Sequence, residues 1–353
     1  MRRIRVLIVE DSPVVGEHLR RIISADVRLE VAGIATSGEE ALAVLDRLSP
    51  DVISMDIQLP GIQGFEATRR IMAERPTPIV VVSGIGIEEM AFTMQALRAG
   101  ALSAVEKPAS TSHADYTALA GKLCTQLAIM SDVRVVRQRQ TVGLRQAPET
   151  AYIPEKIERS GFKLLGIGAS TGGPSALVQL LSGLAPNFPL PIVLVQHMAP
   201  AFLKGFAEWL GGVTPFPVSV PTGPTPLVGG HVYVAPCNDS HLIVRGGSAL
   251  FENSPPIGGH RPSANALFSS MARTLGAAGI GILLTGMGED GALGLRDLNR
   301  AGSFTIAEHE STAVVYGMPG AAVQMGAVNE SLPLGAIAGR VQKLIAEQAD
   351  VLQ

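Results

Sequence analysis

Short apolar runs alternate with segments of helical period along the first third of the chain. The runs at residues 4–9, 29–34, 52–55, 79–82 and 102–105 are rich in Val, Ile and Leu. Between them, residues 14–23, 38–48, 64–73 and 87–99 repeat apolar side chains at three- and four-residue spacing, the mark of helices with one buried face. Residues 111–130 supply a fifth such segment. Regular alternation of this kind predicts right-handed crossovers and a five-stranded parallel (βα)5 unit.

A second series begins after residue 160. Apolar runs at 162–167, 192–195, 218–220, 231–234, 241–244 and 281–284 are interleaved with helix-like segments at 175–181, 200–210, 264–277 and 292–301. This predicts a second α/β domain, doubly wound and mostly parallel. Residues 131–160 break both patterns, with Arg134, Arg137, Arg139, Arg145, Lys156 and Arg159 among Pro148 and Pro154. They read as a basic, solvated tether with room for a short helix. The expected organisation is therefore a domain at 1–130, a linker at 131–160 and a domain at 161–353.

Composition narrows the class of function. A chain of 353 residues with 46% hydrophobic and 17% charged residues has enough apolar content for two packed cores. A net charge of -3 argues against a dedicated nucleic-acid surface. No apolar stretch reaches membrane-spanning length, and Met1-Arg2-Arg3 leads straight into a strand without a secretory apolar region. Cys124 and Cys237 are the only cysteines, fall in different domains and lack metal-ligand spacing. A soluble cytoplasmic setting is expected.

Ligands of parallel α/β sheets collect beyond the carboxyl ends of the strands. In the first domain those ends carry Glu10 and Asp11, Asp56, Ser83, and Lys107 followed by Pro108. Three converging carboxylates repel one another unless a hard cation holds them, and oxygen ligands suit Mg²⁺. A lysine and a hydroxyl beside them fit a phosphoryl group carried on one carboxylate. The motifs Val9-Glu10-Asp11-Ser12, Met55-Asp56-Ile57-Gln58-Leu59-Pro60-Gly61, Val82-Ser83-Gly84 and Glu106-Lys107-Pro108 resemble the receiver domains of response regulators. That resemblance implies phosphorylation of Asp56 by a histidine kinase, Mg²⁺ held by Glu10, Asp11, Asp56 and the Gln58 backbone carbonyl, Ser83 as the switch hydroxyl and Lys107 on the phosphoryl oxygens. Ala104 stands where the family usually has an aromatic switch residue.

In the second half, Gly166-Ile167-Gly168-Ala169-Ser170-Thr171-Gly172-Gly173-Pro174 reads as strand, sharp turn and helix, with Gly168-x-Ser170-x-Gly172 in the nucleophile-elbow pattern. His197 follows the aliphatic run 192–195, and Asp290 lies in Thr285-Gly286-Met287-Gly288-Glu289-Asp290-Gly291. If the three strands are parallel neighbours, these side chains share one crevice, where a serine needs a histidine base and a carboxylate to orient it. Three alternatives stand beside this reading. Asp290 suits the N-cap of a helix from Ala292 onward. His18, His113, His231, His241, His260 and His309 compete with His197. The Gly286-x-Gly288-x-x-Gly291 pattern also matches the dinucleotide fingerprint, with Glu308 or Glu310 as the ribose contact, although Glu289 and Asp290 would oppose a pyrophosphate.

The second half resembles the catalytic domain of the chemotaxis protein-glutamate methylesterase family (CheB). The resemblance rests on the serine motif, Gln196-His197-Met198, Tyr233-Val-Ala-Pro236, His260-Arg-Pro-Ser263, Leu284-Thr-Gly-Met-Gly-Glu-Asp-Gly291 and Val315-Tyr-Gly-Met-Pro319. It implies hydrolysis of γ-glutamyl methyl esters on chemoreceptor cytoplasmic helices with release of methanol, and deamidation of receptor glutamines as a second reaction. Ser170 would be the nucleophile, His197 the base and Asp290 its orienter, with the Met287 and Thr171 backbone N–H groups as oxyanion donors and no cofactor for the ester step. In that family the unmodified receiver covers the catalytic crevice. A receiver fused to a nucleotide-binding or catalytically inactive output domain is the rival reading.

Overall fold

The computed structural model describes residues 2–84, 87–108, 116–133, 135 and 161–351. The chain divides into two compact units, Met1–Leu144 and Arg145–Gln353. The helix expected within the linker lies outside the described residues, as do the first residues of the segment 111–130.

The first unit alternates β1 (Ile4–Val9), α1 (Pro13–Ala25), β2 (Leu29–Ala35), α2 (Gly38–Leu48), β3 (Val52–Asp56), α3 (Gly64–Glu74), β4 (Ile79–Ser83), α4 (Ile87–Arg98), β5 (Ser103–Glu106) and α5 (Tyr116–Met130). All pairings are parallel, in the order β2-β1-β3-β4-β5. Every residue of β3 and β4 is buried, which is why both read as continuous apolar runs. The order reverses between β1 and β3, so Glu10, Asp11 and Asp56 meet at the switch point.

The second unit is built on a seven-stranded parallel sheet of order β15-β14-β13-β6-β7-β10-β8. Its elements are β6 (Leu164–Ala169), α6 (Gly173–Ser182), β7 (Ile192–Gln196), α7 (Pro200–Val213), β8 (Val218–Ser219), β9 (Thr225–Pro226), β10 (Val232–Val234), β11 (His241–Arg245), β12 (Ser248–Glu252), α8 (Ala264–Leu275), β13 (Gly279–Leu283), α9 (Ala292–Arg300), β14 (Phe304–Glu308), α10 (Met318–Gln324), β15 (Glu330–Leu332) and α11 (Leu334–Val351). The run 241–244 does not join the main sheet. It forms an antiparallel hairpin with β12, and β9 adds to its edge.

Two glycines of β6 matter for helix approach rather than for the turn. A Cβ on Gly168 would stand 2.9 Å from the Ala264 Cβ, so α8 packs against bare backbone there. The turn itself bends at Gly172, with φ of +78° at the N-cap of α6, while Ser170 keeps an ordinary negative φ. Leu267, Phe268 and Met271 of α8, with Leu283, Leu295 and Leu298, form a core with no exposed surface. Burial of each such side chain contributes about 1.5–3 kcal/mol before chain entropy is counted.

Candidate active site

Strand β6 lies between β7 and β13, and the sheet winds away from it in both directions, so its carboxyl end is the switch point of this unit. Ala169 pairs with Gln196 and Leu283 with Gly168, which brings Ser170, His197 and the turn after β13 to one edge. The Ser170 N–H donates to the Thr285 carbonyl at 3.0 Å, and the His197 N–H to the Ala169 carbonyl at 3.0 Å. Buried Gln196 ties the two candidates together: its Nε2 donates to the Ser170 carbonyl at 2.8 Å and to the His197 carbonyl at 2.9 Å.

Asp290 is 3% exposed and points at His197, with Oδ2 2.9 Å from Nε2. Its two oxygens also collect the start of a helix. Oδ1 accepts from Ser263 Oγ at 2.6 Å and from the Asn265 N–H at 3.3 Å, and Oδ2 accepts from the Ala264 N–H at 2.7 Å. The expected N-cap role is therefore corrected: Asp290 serves the N-terminus of α8, and α9 begins at Ala292 behind the N-cap Gly291, with no side-chain cap. Burial would raise this carboxyl's pKa. The His197, Ser263 and Ala264 interactions outweigh it and hold the group below the usual aspartate range.

The His197 ring is half-buried and stacked face to face on His260, with centroids 4.1 Å apart and planes 4° from parallel. The Asp290 oxygen sits out of line with the ring N–H, so neither ring nitrogen has a well-aligned hydrogen bond among the described residues. No hydrogen bond joins the Ser170 hydroxyl to the ring either. Such bonds are commonly long in free enzymes and tighten with substrate. His260 lies in the motif His260-Arg-Pro-Ser263, but nothing in its sequence position indicated that its ring would stack on His197. Burial first, and the neighbouring His197 second, push its pKa below the ordinary histidine value.

His241 is a structural histidine. It is fully buried, its Nδ1 accepts from the Ser263 N–H at 3.1 Å, and its Nε2 therefore carries the proton donated to the Pro255 carbonyl at 3.1 Å. It holds Ser263 against Asp290. Nothing in the sequence spacing links 241, 263 and 290.

The turn after β13 is cross-braced. Thr285 Oγ1 donates to the Thr171 carbonyl at 2.9 Å and accepts from the Val315 N–H at 2.9 Å. Among the described residues the Met287 and Thr171 N–H groups donate to nothing, and Met287 is 40% exposed. Glu308 is fully buried and accepts the Thr285 N–H at 2.9 Å through Oε2, while Oε1 has no well-aligned hydrogen bond among the described residues. Two findings oppose a dinucleotide. The Asp290 carboxylate is committed to helix α8 and Glu308 cannot reach a ribose.

Burial raises the Glu308 pKa above the usual glutamate range. A group whose folded pKa is raised supports stability below its unfolded value and loses that support as pH climbs through the folded one. Glu308→Gln is expected to remove this dependence. Its unfolding midpoint should gain on the wild type as pH rises above the ordinary glutamate value, and parallel denaturation series would show whether it does.

At the switch point of the first unit, ligand oxygens of Glu10, Asp11 and Asp56 lie within 4.8 Å of one another. Lys107 Nζ reaches Glu10 Oε2 at 2.9 Å and Asp56 Oδ2 at 2.8 Å. Burial, then the Asp56 charge, push the Glu10 pKa up. Burial also works against the Lys107 ammonium, but the Asp56 and Glu10 interactions keep its pKa above the ordinary value. Ser83 is fully buried, and its carbonyl accepts the Lys107 N–H at 2.8 Å. Gln58 is exposed just beyond Asp56. Ala104 lies within β5.

Residues 165–341 match the family model described as CheB methylesterase, and residues 6–115 match the response regulator receiver domain. The chain is 50% identical over 345 residues to a protein-glutamate methylesterase/protein-glutamine glutaminase of Paramagnetospirillum magneticum, covering 97% of this chain and 98% of that one. It is 44% identical over 351 residues to one from Syntrophus aciditrophicus, covering 98% and 99%. Among solved structures it is similar to the CheB methylesterase catalytic domain of Thermotoga maritima, at 35% identity and a TM-score of 0.49, covering 52% of this chain and 98% of that one.

Proposed function

The chain belongs to the CheB methylesterase family and carries a receiver domain, and on that premise we propose that Ser170, His197 and Asp290 hydrolyse glutamate γ-methyl esters under the control of Asp56 phosphorylation. The observation that supports this best is the convergence of Ser170, His197 and the turn that carries Asp290 on the carboxyl ends of three adjacent strands, with Asp290 Oδ2 2.9 Å from the His197 ring.

With Nε2–H turned to Asp290, Nδ1 carries the lone pair that takes the Ser170 proton as Oγ attacks the ester carbonyl. The Met287 and Thr171 N–H groups face the developing oxyanion. Collapse of the tetrahedral intermediate breaks the ester C–O bond, and the imidazolium protonates the leaving methoxide to methanol. Water, deprotonated by His197, then attacks the acyl-serine and restores the serine with a free glutamate. The same steps with ammonia leaving convert a receptor glutamine to glutamate. The substrate is the cytoplasmic helical region of a chemoreceptor, and no helix of the described residues is long and apolar enough to cross a membrane.

In the receiver, Asp56 accepts a phosphoryl group from the phosphohistidine of a kinase, with Lys107 and Ser83 on the phosphoryl oxygens. The carboxylate cluster fits a hard divalent cation, since three acidic oxygens so close together need positive charge between them. Glu10, Asp11, Asp56 and the Gln58 carbonyl would hold Mg²⁺, which when bound supplies charge neutralisation for the incoming phosphoryl group.

Methanol release from methylated receptor membranes tests the reading. A small phosphodonor with Mg²⁺ is expected to raise the rate by a factor on the order of 5–150, the usual span of coupling energies. Asp56→Asn should remove that increase. A chain that releases no methanol with or without the phosphodonor would overturn the proposal.

A further inference from the structure

The second imidazole of the site has no place in the reaction above, yet it covers one face of the base. We propose that His260 is a positioning residue that sets the plane of the His197 ring through the stack of the two imidazoles, a role that rests on His197 being the base.

The two rings lie 4.1 Å apart and 4° from parallel. Parallel rings cannot hydrogen-bond to each other through nitrogens that lie in their own planes, so the pair is no proton relay. What a stack can do is stop rotation about the His197 Cβ–Cγ bond. That restraint is needed here, because neither His197 nitrogen has a well-aligned hydrogen bond among the described residues. Without it, the ring is free to turn and the nitrogen meant for the serine loses its fixed direction.

His260 is itself held firmly. Ile257 and His260 exchange backbone hydrogen bonds of 3.1 and 3.0 Å across Gly258 and Gly259, whose φ values of +58° and +84° build a tight hairpin turn. Arg261 anchors the next position to Asp239 Oδ1 at 2.5 Å and to the Ser254 carbonyl at 3.3 Å. Two residues on, Ser263 holds Asp290. One short loop therefore sets both the orienting carboxylate and the face of the base. The lowered pKa of His260 agrees with this role, since a neutral ring tolerates the imidazolium that forms beneath it.

The test compares full-length wild type, His260→Ala, His260→Phe and His197→Ala in methanol release, with unfolding midpoints taken for each. His260→Ala is expected to lower kcat on the order of 10–100-fold, the usual cost of a misplaced reacting group, while KM stays near the wild-type value. His260→Phe restores a flat face and should recover most of kcat. A wild-type kcat in His260→Ala would overturn the proposal, and so would a His260→Phe as slow as His260→Ala while still folded. Inactivation of Ser170 by a fluorophosphonate should follow the same order and needs no receptor substrate. If His197→Ala stays active, the assignment of the base has failed; if it is inactive while His260→Ala is unimpaired, only the positioning role has.

Discussion

Replacing Ser170 by alanine is expected to cut methanol release about a millionfold, the loss seen when a serine nucleophile is removed from a complete triad. Stability should hardly move. The hydroxyl takes no hydrogen bond among the described residues, whereas the backbone N–H and carbonyl of Ser170 are held by Thr285, Gly173 and Gln196 and survive the substitution. A side chain with no partner costs little to truncate, within about 0.5 kcal/mol at such a site. Measuring the rate together with the denaturant midpoint separates chemistry from folding. A slow variant with a collapsed midpoint would make the serine structural, and a fast one would end the covalent mechanism.

Asp290→Asn is expected to damage both properties. The rate should fall roughly 10⁴-fold, because an amide cannot hold the imidazole in the required tautomer or stabilise the imidazolium. Stability should fall by about 1–3 kcal/mol as well, since an NH₂ then faces N–H or hydroxyl donors already aimed at the carboxylate by Ala264, Asn265 and Ser263. The pH dependence carries a definite sign. The Asp290 pKa is lowered in the folded chain, so its contribution is present above the ordinary aspartate value and is lost as pH falls through the folded one. The gap between wild type and Asp290→Asn should therefore close on acidification. A gap that stays constant, or a variant as stable as wild type at neutral pH, would show that Asp290 does not hold α8.

Much of this architecture was legible beforehand. The run at residues 79–82 reads as a buried strand because both of its faces are covered, and Asp56 and Lys107 read as functional because strand ends in parallel sheets point one way. Other elements were not. Strand β15 is three residues long and exists only because β14 offers it a partner, and the run at 241–244 carries no sign that it folds into a hairpin rather than the main sheet. The glycines before Ser170 suggest a turn, but they turn out to admit α8, which lies about a hundred residues further along the chain.

Local order determined, from residue types alone, two α/β domains built on parallel strands, and it placed Glu10, Asp11, Asp56 and Lys107 at the strand ends of the first and Ser170, His197 and Asp290 at those of the second as the expected reactive groups. Periodicity and strand-end position are properties of a few neighbouring residues, so they survive without coordinates. Only the tertiary structure decided that Asp290 binds the start of α8, that His241 holds Ser263 in place, and that His260 lies flat on His197. Those contacts join residues tens of positions apart, and their distances arise from how helices and loops pack onto the sheet, which no local pattern records.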